Sequence, residues 1–288
     1  MYEAHFGLKE LPYSIGPDPR FLFLAPQHHE VLSKCRYMIT HRVGPMYVTG
    51  PIGTGKTTIA RRIYQELADE PAAQVAMLIA PNLKSANAFL RTIMDELEVP
   101  TGRSYDRSLA NISEYLLAQG QAGKNVVLLV DEAQNLRRDM LKLIHYLLNY
   151  ETNTKKLLQI VLFGQLELAG HIEAFAELKS RMFPSALAAL SRQQTEEMVG
   201  WRFQVAGGKK HPFTAEAFDE IYRHSLGLPR EICKLCHLAL LKAFSEQAQV
   251  ITPGMVLAAA EELRLEATEE EKDEGADDRG PLEVAVGR

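Results

Sequence analysis

The stretch Gly50-Pro51-Ile52-Gly53-Thr54-Gly55-Lys56-Thr57, followed by Thr58, constrains this chain more than any other part of it. Apolar Met46-Tyr47-Val48-Thr49 precedes it, and a helical pattern from Lys56 to about Glu70, stopped by Pro71, follows. Strand, glycine-rich loop and helix in that order form a Walker A arrangement. Its glycines allow the main chain to wrap closely with N–H groups turned inward, and the helix N-terminus adds a field that favours anionic oxygens. In such a loop Lys56 reaches the β and γ phosphates of ATP and the Thr57 hydroxyl ligates Mg²⁺. A chance glycine-rich turn with this spacing would rarely also sit between a strand and a helix.

The rest of the chain fits the same frame. Val126-Val127-Leu128-Leu129-Val130 is an unbroken apolar run rich in valine, the pattern of a strand buried on both faces. Residues 74–80, Leu158 to Phe163 and Ala186 to Leu190 read as further strands. Helical spacing covers 27–40, 86–97, 109–119 and 139–148, with Phe89, Leu90, Ile93, Met94 and Leu97 on one face of the second. Strands alternating with helices predict a parallel five-stranded α/β sheet with helices on both faces. Beyond residue 192 the strand signal stops. Helical segments near 193–206, 214–225, 229–246 and 253–264 predict a small all-α lid. The expected division is therefore an N-terminal segment 1–43, an ATPase core 44–192, a helical lid 193–264 and a disordered acidic tail 265–288.

Asp131-Glu132 directly after the valine-rich strand is the Walker B arrangement. Asp131 at the strand end holds hydrated Mg²⁺, and Glu132 polarises a water for attack on the γ-phosphate. A carboxylate in that second position favours hydrolysis by water over transfer to a hydroxyl substrate. Gln165, just past strand 158–163, lies where a neighbouring strand would aim it at the γ-phosphate. A turn residue satisfied locally has the same sequence.

Compartment and charge add less. The N-terminal residues lack the basic-then-apolar order of a signal peptide, and no apolar run nears the about 20 residues of a membrane span. Three cysteines make no disulfide framework. The expectation is a cytoplasmic protein with no membrane partner. Formal net charge is −5, but residues 266–288 hold nine acidic and three basic residues, so the rest of the chain is near neutral at +1. Whole-chain charge thus neither favours nor excludes nucleic acid.

Together, the N-terminal Tyr2, Phe6-Gly7-Leu8 and Pro17-Asp18-Pro19-Arg20-Phe21, the Walker A loop, Asp131-Glu132-Ala133-Gln134-Asn135-Leu136 and Leu162-Phe163-Gly164-Gln165-Leu166-Glu167-Leu168 resemble the AAA+ superfamily, and within it the ExeA/GspA-like branch. The resemblance implies that Gln165 is sensor 1 and that Arg181 is an arginine finger reaching a neighbouring subunit. Arg230, after Gly227-Leu228-Pro229, is implied as sensor 2 at the start of a lid helix, where proline suits the first turn. An ordinary surface arginine is the competing account of Arg181, and Arg137 and Arg138 are alternative trans contacts. Residues 19–29 would lie near adenine.

The branch divides by function. Secretion-type members continue into a transmembrane helix and a peptidoglycan-binding domain, whereas stand-alone members resemble TnsC-type DNA transposition regulators. Because this chain ends shortly after its last helical segment, the expectation is the second class. It would be an ATP hydrolase forming a ring or spiral homo-oligomer on double-stranded DNA, linking a target-selector protein to transposase. Lys84, Arg103 and Arg107 would then track phosphates without reading bases. The alternatives are a secretion or pilus-assembly accessory ATPase and an ATP-dependent scaffold without turnover. Cys233-Lys234-Leu235-Cys236-His237 matches a haem-attachment pattern, but its helical spacing explains buried cysteines without haem. His28-His29 reads as surface or adenine-side packing, and Trp201 as lid core.

Overall fold

All of Val126–Val130 is fully buried, inside a parallel five-stranded sheet. The computed structural model describes residues 2–16, 18–79, 83–151 and 155–264. Its strands are β1 (Met46–Thr49), β2 (Ala73–Leu78), β3 (Asn125–Val130), β4 (Leu158–Gly164) and β5 (Phe183–Ala186), in the order β2-β3-β4-β1-β5. Register places Thr49 opposite Gly164 and Val130 opposite Leu162. The ends of β1 and β3 therefore flank the end of β4, so the residues after these three strands converge on one edge.

Side-chain alternation along the strands feeds two apolar layers. Val127, Leu129, Val161 and Phe163 pack with Val31, Leu32, Cys35, Ile59 and Ile63 of helices Pro26–Thr40 and Lys56–Ala68. Val126, Leu128, Val130, Ile160 and Leu162 pack on the opposite face with residues of helices Ala86–Glu96, Tyr105–Gln121 and Arg138–Leu147. Burying each such aliphatic side chain contributes about 1.5–3 kcal/mol.

Residues 16–189 form one compact unit, and residues 1–15 group with those from Leu190 onward in a second. The expected N-terminal segment 1–43 is thus divided near residue 15. In the second unit, helices Tyr2–Phe6, Arg192–Val205, Ala215–Ser225 and Pro229–Ser245 are joined by a helical stretch over 253–264. Ser191 and Gln194 form a reciprocal capping box at the start of Arg192–Val205. Arg202, only 8% exposed, holds the N-terminal segment there. Its guanidinium donates to the Pro12 carbonyl at 3.0 Å, the Ser14 carbonyl at 2.9 Å and Cys233 Sγ at 2.9 Å. Tyr13 adds a hydroxyl bond to the Val199 carbonyl at 3.1 Å. Burial pushes the Cys233 thiol up to about 11, against the lowering influence of Arg202, and Cys236 is also fully buried. These cysteines are core residues of Pro229–Ser245, and Trp201 is half-buried on Arg192–Val205.

Several boundaries differ from the expected ones. The fifth strand lies at Phe183–Ala186 rather than 186–190, because pairing with β1 sets it and not an apolar run. The helix expected from residue 109 begins at Tyr105, where the Ser104 side chain accepts the Arg107 N–H. Arg107 therefore sits on a helical turn and not in a loop. The two short helices Glu167–Glu173 and Ala176–Lys179 carry no periodic sequence signal long enough to read. Ala80, Asn82 and the acidic segment from 265 lie outside the described residues.

Candidate nucleotide site

The turn between β1 and helix Lys56–Ala68 is built for a phosphate chain. Gly53 and Gly55 have φ of 82° and 96°, a left-handed region that side-chain-bearing residues seldom adopt. A Cβ on Gly50 would come 2.4 Å from the Leu187 carbonyl oxygen, so two backbones meet there and only glycine fits. The buried Thr54 hydroxyl donates to the Pro51 carbonyl at 2.9 Å, closing the turn from within. Lys56 is 6% exposed, and its ammonium donates to the carbonyls of Gly50 and Pro51, both at 2.8 Å. The cation is thus held against the loop that a polyphosphate would enter. Ile52 protrudes into solvent at the loop tip, and Thr58 is half-buried in the first helical turn.

His28 supports this loop from beneath, a placement the sequence reading did not make. It is 2% exposed because position 28 shares the buried face of Pro26–Thr40 with Val31, Leu32 and Cys35. Its Nε2 lies 3.0 Å from the Thr54 carbonyl. A carbonyl only accepts, so this nitrogen carries the proton. Nδ1 is buried with no hydrogen-bond partner among the described residues. Burial lowers the His28 pKa, the Thr54 bond opposes that shift, and the nearby His29 adds to it.

Opposite the loop, Asp131 is 1% exposed. Burial raises its pKa, while the adjacent Thr57 hydroxyl and the hydrogen bond from the Glu132 N–H lower it, as does the charge of Lys56, and Glu132 raises it further. The two expected magnesium ligands are therefore already in contact. A hydroxyl and a carboxylate are the hard oxygen donors Mg²⁺ takes, and a buried carboxyl with a raised pKa gains from a cation beside it. The residues fit the metal.

Glu132 occupies a left-handed conformation, φ 50° and ψ 39°, which is uncommon for a residue with a side chain. Its N–H donates to Asp131 Oδ1 at 3.0 Å. Its carboxylate accepts from Gln134 Nε2 at 2.6 Å, and Gln134 Oε1 in turn accepts the Gln165 N–H at 3.0 Å. Gln165 is thereby joined to the Walker B segment through its backbone. The structure brings Gly50 to Thr58, Asp131, Glu132 and Gln165 to one edge of the sheet, and Gln134 joins them.

The remaining candidates lie elsewhere. Arg181 is exposed beyond Ala176–Lys179 and donates to Asn149 Oδ1 at 2.6 Å. Arg137 and Arg138 are exposed at the start of Arg138–Leu147, with Arg137 paired to Asp139 at 3.4 Å. Lys84, Arg103 and Arg107 are exposed. Arg230 is exposed on the first turn of Pro229–Ser245, in the helical unit. Just before it, Gly227 has φ 73°, and a Cβ there would lie 2.0 Å from the Leu190 carbonyl oxygen. Among the described residues no helix is long and apolar enough to cross a membrane, and no cluster of three or more His, Cys, Asp or Glu could hold a metal.

Residues 39–172 match the family model of the AAA domain. The chain is 37% identical over 268 residues to general secretion pathway protein A of Aeromonas hydrophila, covering 91% of this chain and 48% of that protein. It thus spans about half the length of this relative. Among solved structures, the Aeropyrum pernix ORC2 protein in its ADPNP-ADP complexes aligns with a TM-score of 0.60 at 15% identity, over 83% of this chain and 68% of that one. The Aeropyrum pernix ORC1 protein in complex with DNA aligns with a TM-score of 0.65 at 14% identity, over 88% and 69%. The fold is the P-loop NTPase fold of AAA+ type, a parallel five-stranded sheet with helices on both faces, followed by a helical C-terminal region.

Proposed function

We propose that this chain binds ATP with Mg²⁺ and hydrolyses it, as the ATPase of a secretion-type assembly akin to general secretion pathway protein A. The observation that carries the chemistry is the contact of Thr57 with buried Asp131, with Glu132 next in sequence and Lys56 on the facing loop. The loop glycines and Lys56 hold the polyphosphate, and Thr57 and Asp131 hold the metal. Bound Mg²⁺ supplies charge neutralisation on the phosphate oxygens. Glu132 orients the attacking water and takes its proton, while Gln165 contacts the γ-phosphate side. Arg181 completes the site of a neighbouring copy, and Arg230 serves as sensor 2. ATP then acts as a timer for assembly of a homo-oligomer.

Identity of 37% across most of the chain favours the secretion reading over the transposition one. A DNA-bound assembly is the second reading, favoured by exposed Lys84, Arg103 and Arg107 on segments that follow β2. In that case the chain is a transposition regulator linking a target selector to transposase. One set of assays separates these readings. ATP hydrolysis is measured with and without Mg²⁺ and duplex DNA, and particle size with and without ATP. Turnover that needs Mg²⁺, is lost in Glu132→Gln and ignores DNA supports the secretion reading. DNA-stimulated turnover with ATP-dependent filaments on DNA supports the second. Tight ATP binding with no turnover overturns both and leaves a scaffold.

A further inference from the structure

We propose that Gln134 is a positioning residue for hydrolysis, holding the Glu132 carboxylate and coupling it to the end of β4 at Gln165. The inference rests on the ATPase reading above and concerns a residue with no assigned part in it.

Both ends of the Gln134 amide are engaged. Nε2 donates to Glu132 Oε2 at 2.6 Å, and Oε1 accepts the Gln165 N–H at 3.0 Å. A main-chain N–H must meet the amide oxygen and a carboxylate must meet the amide nitrogen, so the orientation of the group is fixed from both sides. The site is shaped around it. Gly164 has no Cβ, and one built there would sit 3.0 Å from Gln134 Oε1 and 2.8 Å from Leu168 Cδ2. Glycine at the end of β4 is what lets the amide lie across the strand terminus. At the other end Glu132 keeps its left-handed backbone, a conformation that persists only where surrounding contacts enforce it.

The chemistry explains why an amide suits this position. Gln134 is neutral, so it restrains one carboxylate oxygen through its amide N–H without setting a counter-charge against it. The other oxygen is left to take the proton of water. An amide also does not titrate, so the restraint is the same at every working pH. The link runs through two consecutive hydrogen bonds, from the base to the amide and from the amide to the main chain after β4. A displacement of that strand end, where Gln165 faces the γ-phosphate side, therefore displaces the base with it. Turnover is in this way tied to the state of the nucleotide rather than to Glu132 alone.

The test uses the full chain, with Gln134→Ala, Gln134→Glu, Glu132→Gln and the double variant Glu132→Gln/Gln134→Ala. Steady-state hydrolysis, affinity for a fluorescent ATP analogue and melting temperature are measured for each. In Gln134→Ala we expect kcat to fall about tenfold to a hundredfold, within the range general bases contribute, with KM, nucleotide affinity and melting temperature little changed. The double variant should turn over no more slowly than Glu132→Gln, since there is then no base to position. Gln134→Glu replaces the donating amide with a second acceptor facing Glu132, so its kcat should fall at least as far as that of Gln134→Ala. A kcat within about twofold of wild type in Gln134→Ala, or losses that multiply in the double variant, overturns the proposal while leaving the ATPase reading intact. Absence of turnover in the wild type overturns both.

Discussion

The Thr57 hydroxyl lies beside the Asp131 carboxylate and favours its charged form, so the last residue of the phosphate loop and the first beyond β3 face one another. Burial outweighs this influence and leaves the Asp131 pKa above the ordinary value of 3.8. A raised carboxyl pKa favours the folded state below the ordinary value, and that contribution is lost as pH rises through the raised one. Asp131→Asn removes the titration. Without nucleotide, the variant should match the wild type in acid and gain stability as pH rises above about 4, levelling off beyond the raised pKa. The expected gain is about 0.5–2 kcal/mol, the usual scale of single stabilising changes. Urea midpoints from pH 4 to 8 measure it. The same variant should lose Mg²⁺-dependent turnover by about a hundredfold or more, so a site that costs stability would be one that supplies function.

Lys56→Ala removes a nearly buried ammonium that spans the Gly50 and Pro51 carbonyls. Affinity for a fluorescent ATP analogue should fall about a hundredfold or more, roughly 3 kcal/mol. Circular dichroism should remain that of the wild type, because the core layers do not include this side chain. Undiminished affinity would remove Lys56 from the phosphate site.

His28 provides a pH test of the loop. Its pKa lies below 6.5 because burial disfavours the imidazolium. A depressed pKa stabilises the fold above the ordinary value, and that contribution is lost as pH falls through the lowered one. In His28→Gln, whose amide nitrogen can still reach the Thr54 carbonyl, the loss of stability between pH 6.5 and 5 should be smaller than in the wild type. His28→Phe leaves that carbonyl without its donor and should cost about 1–3 kcal/mol at pH 8. Parallel unfolding curves for all three proteins across this pH range would contradict the assignment.

Arg202→Met should destabilise the helical unit by about 2–4 kcal/mol, since the carbonyls of Pro12 and Ser14 lose a buried charged donor. Arg202→Lys should rescue little, because a point charge cannot serve the same separated acceptors as a guanidinium fork. Limited proteolysis should first cut the variant within residues 2–15. A cleavage pattern identical to the wild type would show that this arginine is not what holds the segment.

What the sequence showed and what it hid follow from the range of the signals. β3 and β4 were legible because strands covered on both faces become unbroken apolar runs. The phosphate loop was legible because its chemistry needs particular residues at fixed spacing. β5 was hidden because Phe-Pro-Ser-Ala is a short edge segment defined by its partner. His28 and Arg202 act through main-chain carbonyls far away in sequence, at Thr54 and at Pro12 and Ser14, and no local pattern records such pairings. Gln134 stood inside a recognised signature, yet its contact with Gln165 spans the whole of β4 and needed coordinates to see.

β5 also limits how copies of this chain can associate. Phe183 and Leu187 direct their N–H groups to the carbonyls of Pro45 and Thr49 beside β1, so residue 184 faces away from the sheet. That residue is proline, which has no N–H to offer, and its carbonyl is already taken by Lys34 Nζ at 2.7 Å. A foreign strand arriving at this margin finds neither donor nor acceptor at residue 184. A continuous ladder cannot run along this side through residue 184, which favours side-chain contacts between copies meeting there, and such contacts can be made and released without breaking a backbone ladder.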